Sequence, residues 1–347
     1  MATLTETAYQ SRRAIKFGAF GLVILIIFKS IFSIGFAYWR KLNPPPAPPP
    51  TVSFGKLPQI EFPESSFKEE KLVYRLETTI GGTPNLGDRA NVYFIPTKKS
   101  SLLALERAKT QARKMGFSGE VKKISETVYQ WQKEEPFLTT LKMDIINGNF
   151  TIQKNWQEDQ TLLVERMLPI KEQAIIEAKN FLQTSGFPTE DLQVGEANVS
   201  FLRFIAPNLV PAISLSEADF VKVNLFRKNL NDLPLLHSKP KEALISILFS
   251  GSRNREKRIL EVNYTHFPIT EETFSTYPLK TSTQAWEELK TGEGFIANLG
   301  EAEKEVVIRK IYLAYFENSS PQNYLQPIYV FESSNDFVAY VSAISSE

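Results

Sequence analysis

Residues 104–120, ALERAKTQARKMGFSGE, recur 70 positions later as residues 174–190, AIIEAKNFLQTSGFPTE. The two stretches share two alanines, a lysine, a Gly-Phe pair and a final glutamate without a gap, which indicates an internal duplication. In the second copy the apolar residues fall at i, i+1, i+4, i+7 and i+8, one face of an amphipathic helix, and Gly186 stands where such a helix ends. Each copy is therefore predicted to place a helix on a sheet through small alanines.

Strand-like segments follow each helix. After the first helix, Asn147-Gly148 lies between two apolar runs, which is the strongest short signal for a β-hairpin. After the second helix come ANVSFLRF and DFVKVNLFRK, and then ALISILFSG and RILEVNYTHFPI on either side of the charged turn SRNREK, which predicts another hairpin.

A third helix is predicted in TSTQAWEELKTGEG, residues 281–294, with Gly292 and Gly294 at its end. Three more strand-like stretches follow it. Pro327 cannot donate to a ladder, so its strand is predicted to begin at Ile328 or to lie at a sheet edge. A helix followed by antiparallel strands, three times over, predicts the α+β class: an N-terminal transmembrane helix and then repeated helix-plus-antiparallel-sheet modules.

The transmembrane helix is predicted at residues 17–39, FGAFGLVILIIFKSIFSIGFAYW. Twenty-three residues at about 1.5 Å each cover roughly 34 Å, enough for a hydrocarbon core of about 30 Å. Thirteen of these residues are Leu, Ile, Val or Phe. Together they favour insertion by roughly 4 to 8 kcal/mol, against about 2.5 to 3.5 kcal/mol for one central lysine. A cleaved signal peptide is the alternative, although Ser33-Ile34-Gly35 is a poor cleavage site.

Lys29 is the single ionisable residue in this span. Its ammonium either extends along the helix toward the headgroups or meets a carboxylate on a partner helix. Ser30, Ser33 and Ala37 follow at helical spacing and form a strip of small residues that lets two helices approach closely. These four residues are the predicted helix–helix interface.

After the span, KLNPPPAPPP favours polyproline II and hence a stiff stalk. The predicted organisation has six parts: cytoplasmic N-terminus 1–16, transmembrane helix 17–39, Pro-rich stalk 40–64, first α+β module 65–165, second α+β module 166–270 and C-terminal α+β module 271–347. Three basic residues precede the span and Arg40 and Lys41 follow it, a small bias toward a cytoplasmic N-terminus. The protein is therefore predicted in the cell membrane, single-pass, with an extracytoplasmic C-terminal domain.

Charge and cysteine content exclude several classes of function. The first 50 residues hold six Lys or Arg and one Glu, which leaves 34 basic and 38 acidic residues in the remainder. A mildly acidic body argues against nucleic-acid binding. The chain has no cysteine, so disulfides, thiolate metal sites and cysteine nucleophiles are excluded.

Several stretches carry a family resemblance. The A-x-x-x-A helix with its terminal Gly-Phe and following hairpin resembles PepSY-like modules. AWEELKTGEGFI from Ala285, VIRKIYLAYF from Val307 and YLQPIYVFE from Tyr324 resemble YycH/YycI-type accessory proteins of bacterial sensor kinases. The resemblance covers residues 100–347 in pattern, and the long proline stalk departs from it. It implies a non-enzymatic extracytoplasmic regulator that acts through protein contacts, including contacts between membrane helices.

No catalytic signature stands out in the sequence. The two histidines, His237 and His266, are interpreted as ordinary loop or strand-end residues, because neither has metal-ligand spacing or a nearby carboxylate pattern. No phosphate-binding loop, dinucleotide fingerprint or nucleophile elbow occurs. The prediction is therefore a protein that is not an enzyme, with no catalytic, cofactor-binding or metal-binding residues and no cofactor.

Aromatic residues of the C-terminal stretches suggest an interaction surface, because tyrosine suits sites that are apolar at one end and wet at the other. The candidates are Tyr312, Tyr315, Tyr324 and Tyr329.

Three functions are compatible with these patterns. The leading hypothesis is a protein-binding regulator that contacts another membrane or envelope protein, such as a sensor kinase. The alternative is a tethered ligand- or cell-wall-binding module. The third is an envelope enzyme, which a buried cluster of polar groups in a deep pocket would favour.

Overall fold

The computed structural model describes residues 4–42, 48–64, 72–187, 190–301 and 305–345. Its contacts divide the chain into two compact units, Met1–Pro49 and Pro50–Glu347. The class is mixed α+β, with a long apolar helix in the first unit and two large sheets in the second.

The first unit is built on helix α1, Leu4–Leu42, which is longer at both ends than the predicted span. Within it, residues 12–40 are long and apolar enough to cross a membrane. The side chains of these residues are exposed on every face of the helix. A helix that is apolar all round requires an apolar environment, so α1 is compatible with a single-pass membrane anchor or a signal anchor.

The other helices are short and lie in the second unit, which we call the body. They are α2 Ala104–Lys114, α3 Thr161–Val164, α4 Lys171–Thr184, α5 Glu190–Val194, α6 Arg255–Arg258 and α7 Ser282–Thr291. The strands are β1 Val73–Leu76, β2 Arg89–Phe94, β3 Val121–Lys123, β4 Val128–Lys133, β5 Thr139–Asp144, β6 Phe150–Lys154, β7 Ala197–Ile205, β8 Asn208–Pro211, β9 Phe220–Leu225, β10 Leu235–Leu236, β11 Ile245–Ser250, β12 Ile259–Tyr264, β13 Phe274–Pro278, β14 Phe295–Asn298, β15 Glu305–Phe316, β16 Tyr324–Ser333 and β17 Val338–Ser342.

The first sheet has nine antiparallel strands in the order β3-β4-β5-β6-β12-β11-β9-β7-β8. The predicted hairpins at Asn147-Gly148 and at the SRNREK turn are confirmed as β5-β6 and β11-β12. Helices α2 and α4 both pack on one face, where their alanines meet apolar side chains of the central strands. Trp156 and Phe220 anchor a separate apolar cluster with Leu162, Leu248 and Leu260.

The two helices of the sequence repeat end in the same way. Gly116 and Gly186 have φ angles of +86° and +87°, the left-handed conformation that glycine adopts at helix ends. The amide of Phe117 bonds to the Ala112 carbonyl, and that of Phe187 bonds to the Leu182 carbonyl. The last strands of the two halves, β6 and β12, pair with each other. The repeats therefore share a single sheet.

The second sheet has eight strands, with β1-β15-β16-β17-β14 as its main order and β2, β10 and β13 attached. Strands β1 and β2 come from the predicted first module yet pair with β15 and β16. The strand pairing therefore crosses the predicted module boundary at residues 270–271. The predicted third helix is confirmed as α7, with a Thr281–Gln284 capping box and Gly292 at its C-terminal end.

The prediction for Pro327 is wrong, because β16 begins at Tyr324 and lies between β15 and β17. Pro327 stands opposite Ala343, one residue beyond the end of β17, and its carbonyl accepts from the Ala343 amide. The Ala343 carbonyl, to which proline cannot donate, accepts instead from the Lys280 amide at 3.0 Å. Proline is tolerated here because a neighbouring segment supplies the missing donor.

Residues 50–64, which we call the strap, lie against the second sheet. The Thr51 hydroxyl is 2.8 Å from that of Ser275, and the Tyr277 hydroxyl donates to the Gly55 carbonyl. The Phe62 ring packs against those of Phe295 and Phe316, with centroids 5.2 and 4.8 Å away, and against Tyr340. The structure therefore corrects the predicted stalk of residues 40–64, because the strap belongs to the body. Residues 43–47 of the stalk lie outside the described residues.

Candidate functional site

The site lies where the first sheet meets the end of a long strand of the second. Ile245, the first residue of β11, pairs with Leu225 on one side and with Tyr264 on the other. The last residues of β9 and β12 therefore lie on the two sides of the start of β11, at the same end of the sheet. The chain continues from these ends to Arg227 and His266, which are consequently brought together although they are far apart in sequence.

Arg227 is the centre of a buried ion network. Its Nε donates to Asp191 Oδ2 at 2.6 Å, and its Nη1 donates to Glu317 Oε1 at 2.5 Å and to the Phe267 carbonyl at 3.0 Å. The arginine side chain is 10% exposed and that of Glu317 is 9% exposed. Because Glu317 follows β15 and Asp191 lies in α5, one guanidinium joins the two sheets.

His266 extends this network to the surface. Its Nε2 lies 2.9 Å from Asp191 Oδ2, and its amide donates to Asn149 Oδ1. The imidazole stacks at 6.0 Å on the Tyr264 ring. Within the described part of the chain, Nδ1 has no hydrogen-bond partner. A carboxylate that accepts from one ring nitrogen fixes the orientation of the ring and leaves the other nitrogen available.

Asp191 stays ionised in this environment. Burial by itself would raise the pKa of Asp191, but the hydrogen bond with His266 and the charges of His266 and Arg227 outweigh it and hold that pKa well below its usual range. Burial also raises the pKa of Tyr264, which therefore remains a neutral phenol. The floor of the site is thus a fixed carboxylate–imidazole pair backed by an arginine.

Two clefts share His266 and Pro268 as lining residues. The first, which we call the junction cleft, has a volume of about 420 Å³ and carries mixed charge. It is lined by Glu190, Asp191, Val194, Arg227, Lys228, Leu230, Leu235, His266, Pro268, Ile269 and Glu271. Lys228 and Glu271 pair across it at 2.5 Å.

The second, which we call the basic cleft, has a volume of about 540 Å³ and lies between α2, the β5-β6 turn and His266. Its cations are Lys98, Lys99 and Arg107. Its apolar residues are Ala104, Ala108, Met143, Ile145, Ile146, Phe187, Tyr264 and Pro268. No carboxylate side chain is among the described residues that line it.

Sequence reasoning missed this site. His266 lies two residues after β12, a strand-end position as predicted, and it forms a pair with Asp191, 75 positions away, that the sequence pattern did not indicate. No local pattern links the two residues, so only the strand order could have revealed the pair. His237 is a loop residue, as predicted, with both ring nitrogens bonded to nearby backbone. Burial lowers the pKa of His237, so it remains neutral.

The predicted helix–helix interface lies on α1. Lys29, Ser30, Ser33 and Ala37 are all exposed there. The Ser30 hydroxyl donates to the Ile26 carbonyl, and the Ser33 hydroxyl donates to the Ser30 carbonyl, each at 2.9 Å. These bonds satisfy the hydroxyls within the helix and keep the strip compact, which suits close helix packing.

The predicted tyrosine surface is wrong for two of its four members. Tyr315 and Tyr329 are fully buried, and their hydroxyls donate to the carbonyls of Asn91 and Lys280. Tyr312 and Tyr324 are half-buried. Since β15 and β16 are interior strands, burial of both their faces leaves few side chains at solvent.

Nothing in the described residues brings together three His, Cys, Asp or Glu side chains in an arrangement that could hold a metal ion.

No protein-family model and no curated protein matches this chain. Among solved structures it is similar to an uncharacterised protein from Eubacterium rectale ATCC 33656, whose crystal structure has a resolution of 1.45 Å. The identity is 10% and the TM-score is 0.36, over 75% of this chain and 85% of that one. A likeness at this level carries no argument about function.

Proposed function

We propose that this chain is a membrane-anchored extracytoplasmic binding protein whose body recognises another component of the envelope by contact rather than by catalysis. The single observation that carries the proposal is the pair of clefts that share His266 in their lining, near the ion pairs that join the two sheets. A rigid floor and preformed clefts are what a recognition site requires. The apolar α1 supports the anchor.

An enzyme would use the His266–Asp191 pair differently. A general base that activates a nucleophile lies within hydrogen-bond reach of a hydroxyl or thiol. In the part of the chain that the structure describes, no Ser or Thr hydroxyl bonds to His266, and the chain has no cysteine. Within the described residues the pair therefore does not activate a serine or threonine nucleophile.

The test is to block the basic cleft sterically in the full chain. Gln111 lines the cleft from α2, whereas its neighbour Thr110 is exposed and lines neither of the two clefts. We expect Gln111→Trp to remove at least one component that co-purifies with the wild-type chain from native membranes, and Thr110→Trp to leave it. Identical co-purification with wild type and both variants, by quantitative mass spectrometry, would contradict the proposal.

A second candidate function is regulation through α1, with a sensor kinase as the partner that the family resemblance implies. The observation that favours it is Lys29, a cation within an otherwise apolar stretch. A charge at that depth is stabilised by a carboxylate on a partner helix. We expect Lys29→Leu to keep the chain in the membrane and to reduce co-purification of a membrane protein. Lys16→Leu, at the edge of the span, is the matched control.

A further inference from the structure

The basic cleft has a charge that the rest of the body does not share. The chain from residue 51 onward holds more acidic than basic residues, 38 against 34. The cleft nevertheless carries three cations and no carboxylate among its described lining residues. Like charges that gather around one concave surface repel each other and are stabilised by an anion.

The cations of the cleft are available to a ligand. Lys98 donates to the Asn147 carbonyl at 3.1 Å, which places its ammonium over the β5-β6 turn. Within the described residues, Lys99 and Arg107 have no ion-pair partner. Lys109, also on α2, is instead paired with Glu106 at 2.8 Å. Lys99 and Arg107 are therefore not neutralised by a carboxylate of the described residues.

His266 gives the cleft a fixed polar floor. Its side chain is only 15% exposed, Asp191 holds Nε2, and Nδ1 is left without a partner in the described structure. An oriented imidazole on the cleft floor can accept or donate one hydrogen bond to a bound group. His266 lines both clefts, and this polar group is independent of the charges of Lys98, Lys99 and Arg107.

The remaining surface of the cleft is apolar. Ile145, Ile146 and Pro268 are half-buried and line it, and its volume of about 540 Å³ lies in the range of small-molecule sites, about 300–1,000 Å³. A bare ion would leave this apolar surface uncovered. The geometry points to a ligand that carries an oxyanion, a carboxylate or a phosphate, on an apolar body, with the anion at Lys99 and Arg107 and the apolar part on Ile145, Ile146 and Pro268. This inference rests on the proposed function and specifies the ligand for the same cleft.

The test compares ligands that differ only in charge. N-acetylphenylalanine and N-acetylphenylalaninamide share an apolar body, and the first alone carries a carboxylate. We expect saturation-transfer NMR on the full chain in nanodiscs to detect the carboxylate bound at least about tenfold more tightly, since the amide loses its charge-assisted hydrogen bonds. Phenyl phosphate tests the phosphate form, and inorganic phosphate tests an anion without an apolar body.

Variants locate the binding. The double change Lys99→Gln and Arg107→Gln should weaken the carboxylate about tenfold or more. Lys122→Gln with Lys123→Gln removes the same charge from the exposed edge strand β3 and should leave the affinity unchanged. Equal binding of amide and carboxylate, or equal weakening by the two double variants, would overturn the inference.

The two proposals fail separately. If Gln111→Trp removes a co-purifying component while the amide and carboxylate bind equally, the cleft is a recognition site without anion preference. If Gln111→Trp changes nothing while the carboxylate binds through Lys99 and Arg107, the cleft takes a small anion and the envelope component is recognised elsewhere or not at all.

Discussion

The two sheets of the body are built in opposite ways. The nine-stranded sheet draws all its strands from residues 121–264, and every pair is antiparallel. The eight-stranded sheet combines residues 73–94 with residues 235–342, and both β1 and β10 pair parallel to β15. Apart from the β6-β12 pair that joins its two halves, the first sheet is built from strands close in sequence, whereas the second also needs pairs between distant segments. Arg227 links the two sheets through its ion pairs with Asp191 and Glu317.

The largest effect on stability is expected when the ion pairs of Arg227 are removed. Arg227→Met leaves Glu317 buried without its cation and leaves the half-buried Asp191 with His266 alone, which should lower the free energy of unfolding by about 3–5 kcal/mol. Urea unfolding of the full chain in nanodiscs gives the loss. Hydrogen exchange by mass spectrometry should show reduced protection in both sheets.

A matched triple variant separates the charge imbalance from the loss of packing. Combining Arg227→Met with Asp191→Asn and Glu317→Gln removes every full charge of the trio and should recover most of the stability. If Arg227→Met alone lowers the free energy of unfolding by less than about 1 kcal/mol, or reduces hydrogen-exchange protection in one sheet only, the sheets are joined by other contacts.

A smaller change in the free energy of unfolding, this time a gain, is expected within the first sheet. Burial, and then the neighbouring Lys133, lower the pKa of Lys154 on β6 to about 8. The unfolded chain keeps that proton up to about pH 10.4, so the buried lysine costs stability below pH 8. Lys154→Met should therefore raise the free energy of unfolding by about 1–3 kcal/mol at pH 7.

The pH dependence provides the check on Lys154. The advantage of Lys154→Met should decline as the pH rises from about 8 to about 10.4, because the folded wild type has lost the proton that the unfolded chain still binds. Lys142→Met, at an exposed position of β5 in the same sheet, should change neither stability nor its pH dependence. A gain that is constant with pH would mean that methionine simply packs better.

The smallest effect concerns the two repeats within the first sheet. Gly116→Ala and Gly186→Ala each force an L-residue into the left-handed conformation, at about 1–2 kcal/mol. A Cβ at Gly116 meets open space, whereas one at Gly186 lies 2.9 Å from Lys114 Nζ. Since the end of a lysine side chain moves easily, we expect the two variants to lose the same free energy of unfolding within about 0.5 kcal/mol, as measured by thermal unfolding. A markedly larger loss at Gly186 would show that Lys114 is held in place.

How far the sequence could predict this fold depends on the range of the contacts. The repeat helices, Gly186 as a helix end, the Asn147-Gly148 hairpin and α7 all follow from patterns within about 20 residues. The position of Pro327 inside a central strand did not follow from local patterns. The N–H donor that proline lacks is supplied by Lys280, which is distant in sequence. Lys29 and its neighbours are visible in the sequence because an apolar stretch long enough to cross a membrane is a purely local signal.

The candidate site was beyond local patterns for the same reason. Asp191, Arg227, His266 and Glu317 lie in four segments, and each is an unremarkable polar residue in its own context. Only the pairing of β9 and β12 with β11, together with the course of β15, brings them together. The hypothesis of a tyrosine surface failed because burial of Tyr315 and Tyr329 depends on what covers β15 and β16.

The strap has a practical consequence for work on a fragment without the anchor. A truncation at the predicted stalk boundary, residue 65, would remove Phe62 and uncover the rings of Phe295 and Phe316. Bare aromatic surface of this kind promotes aggregation. A fragment that starts at Pro50 retains this cover, so soluble expression should be attempted from there.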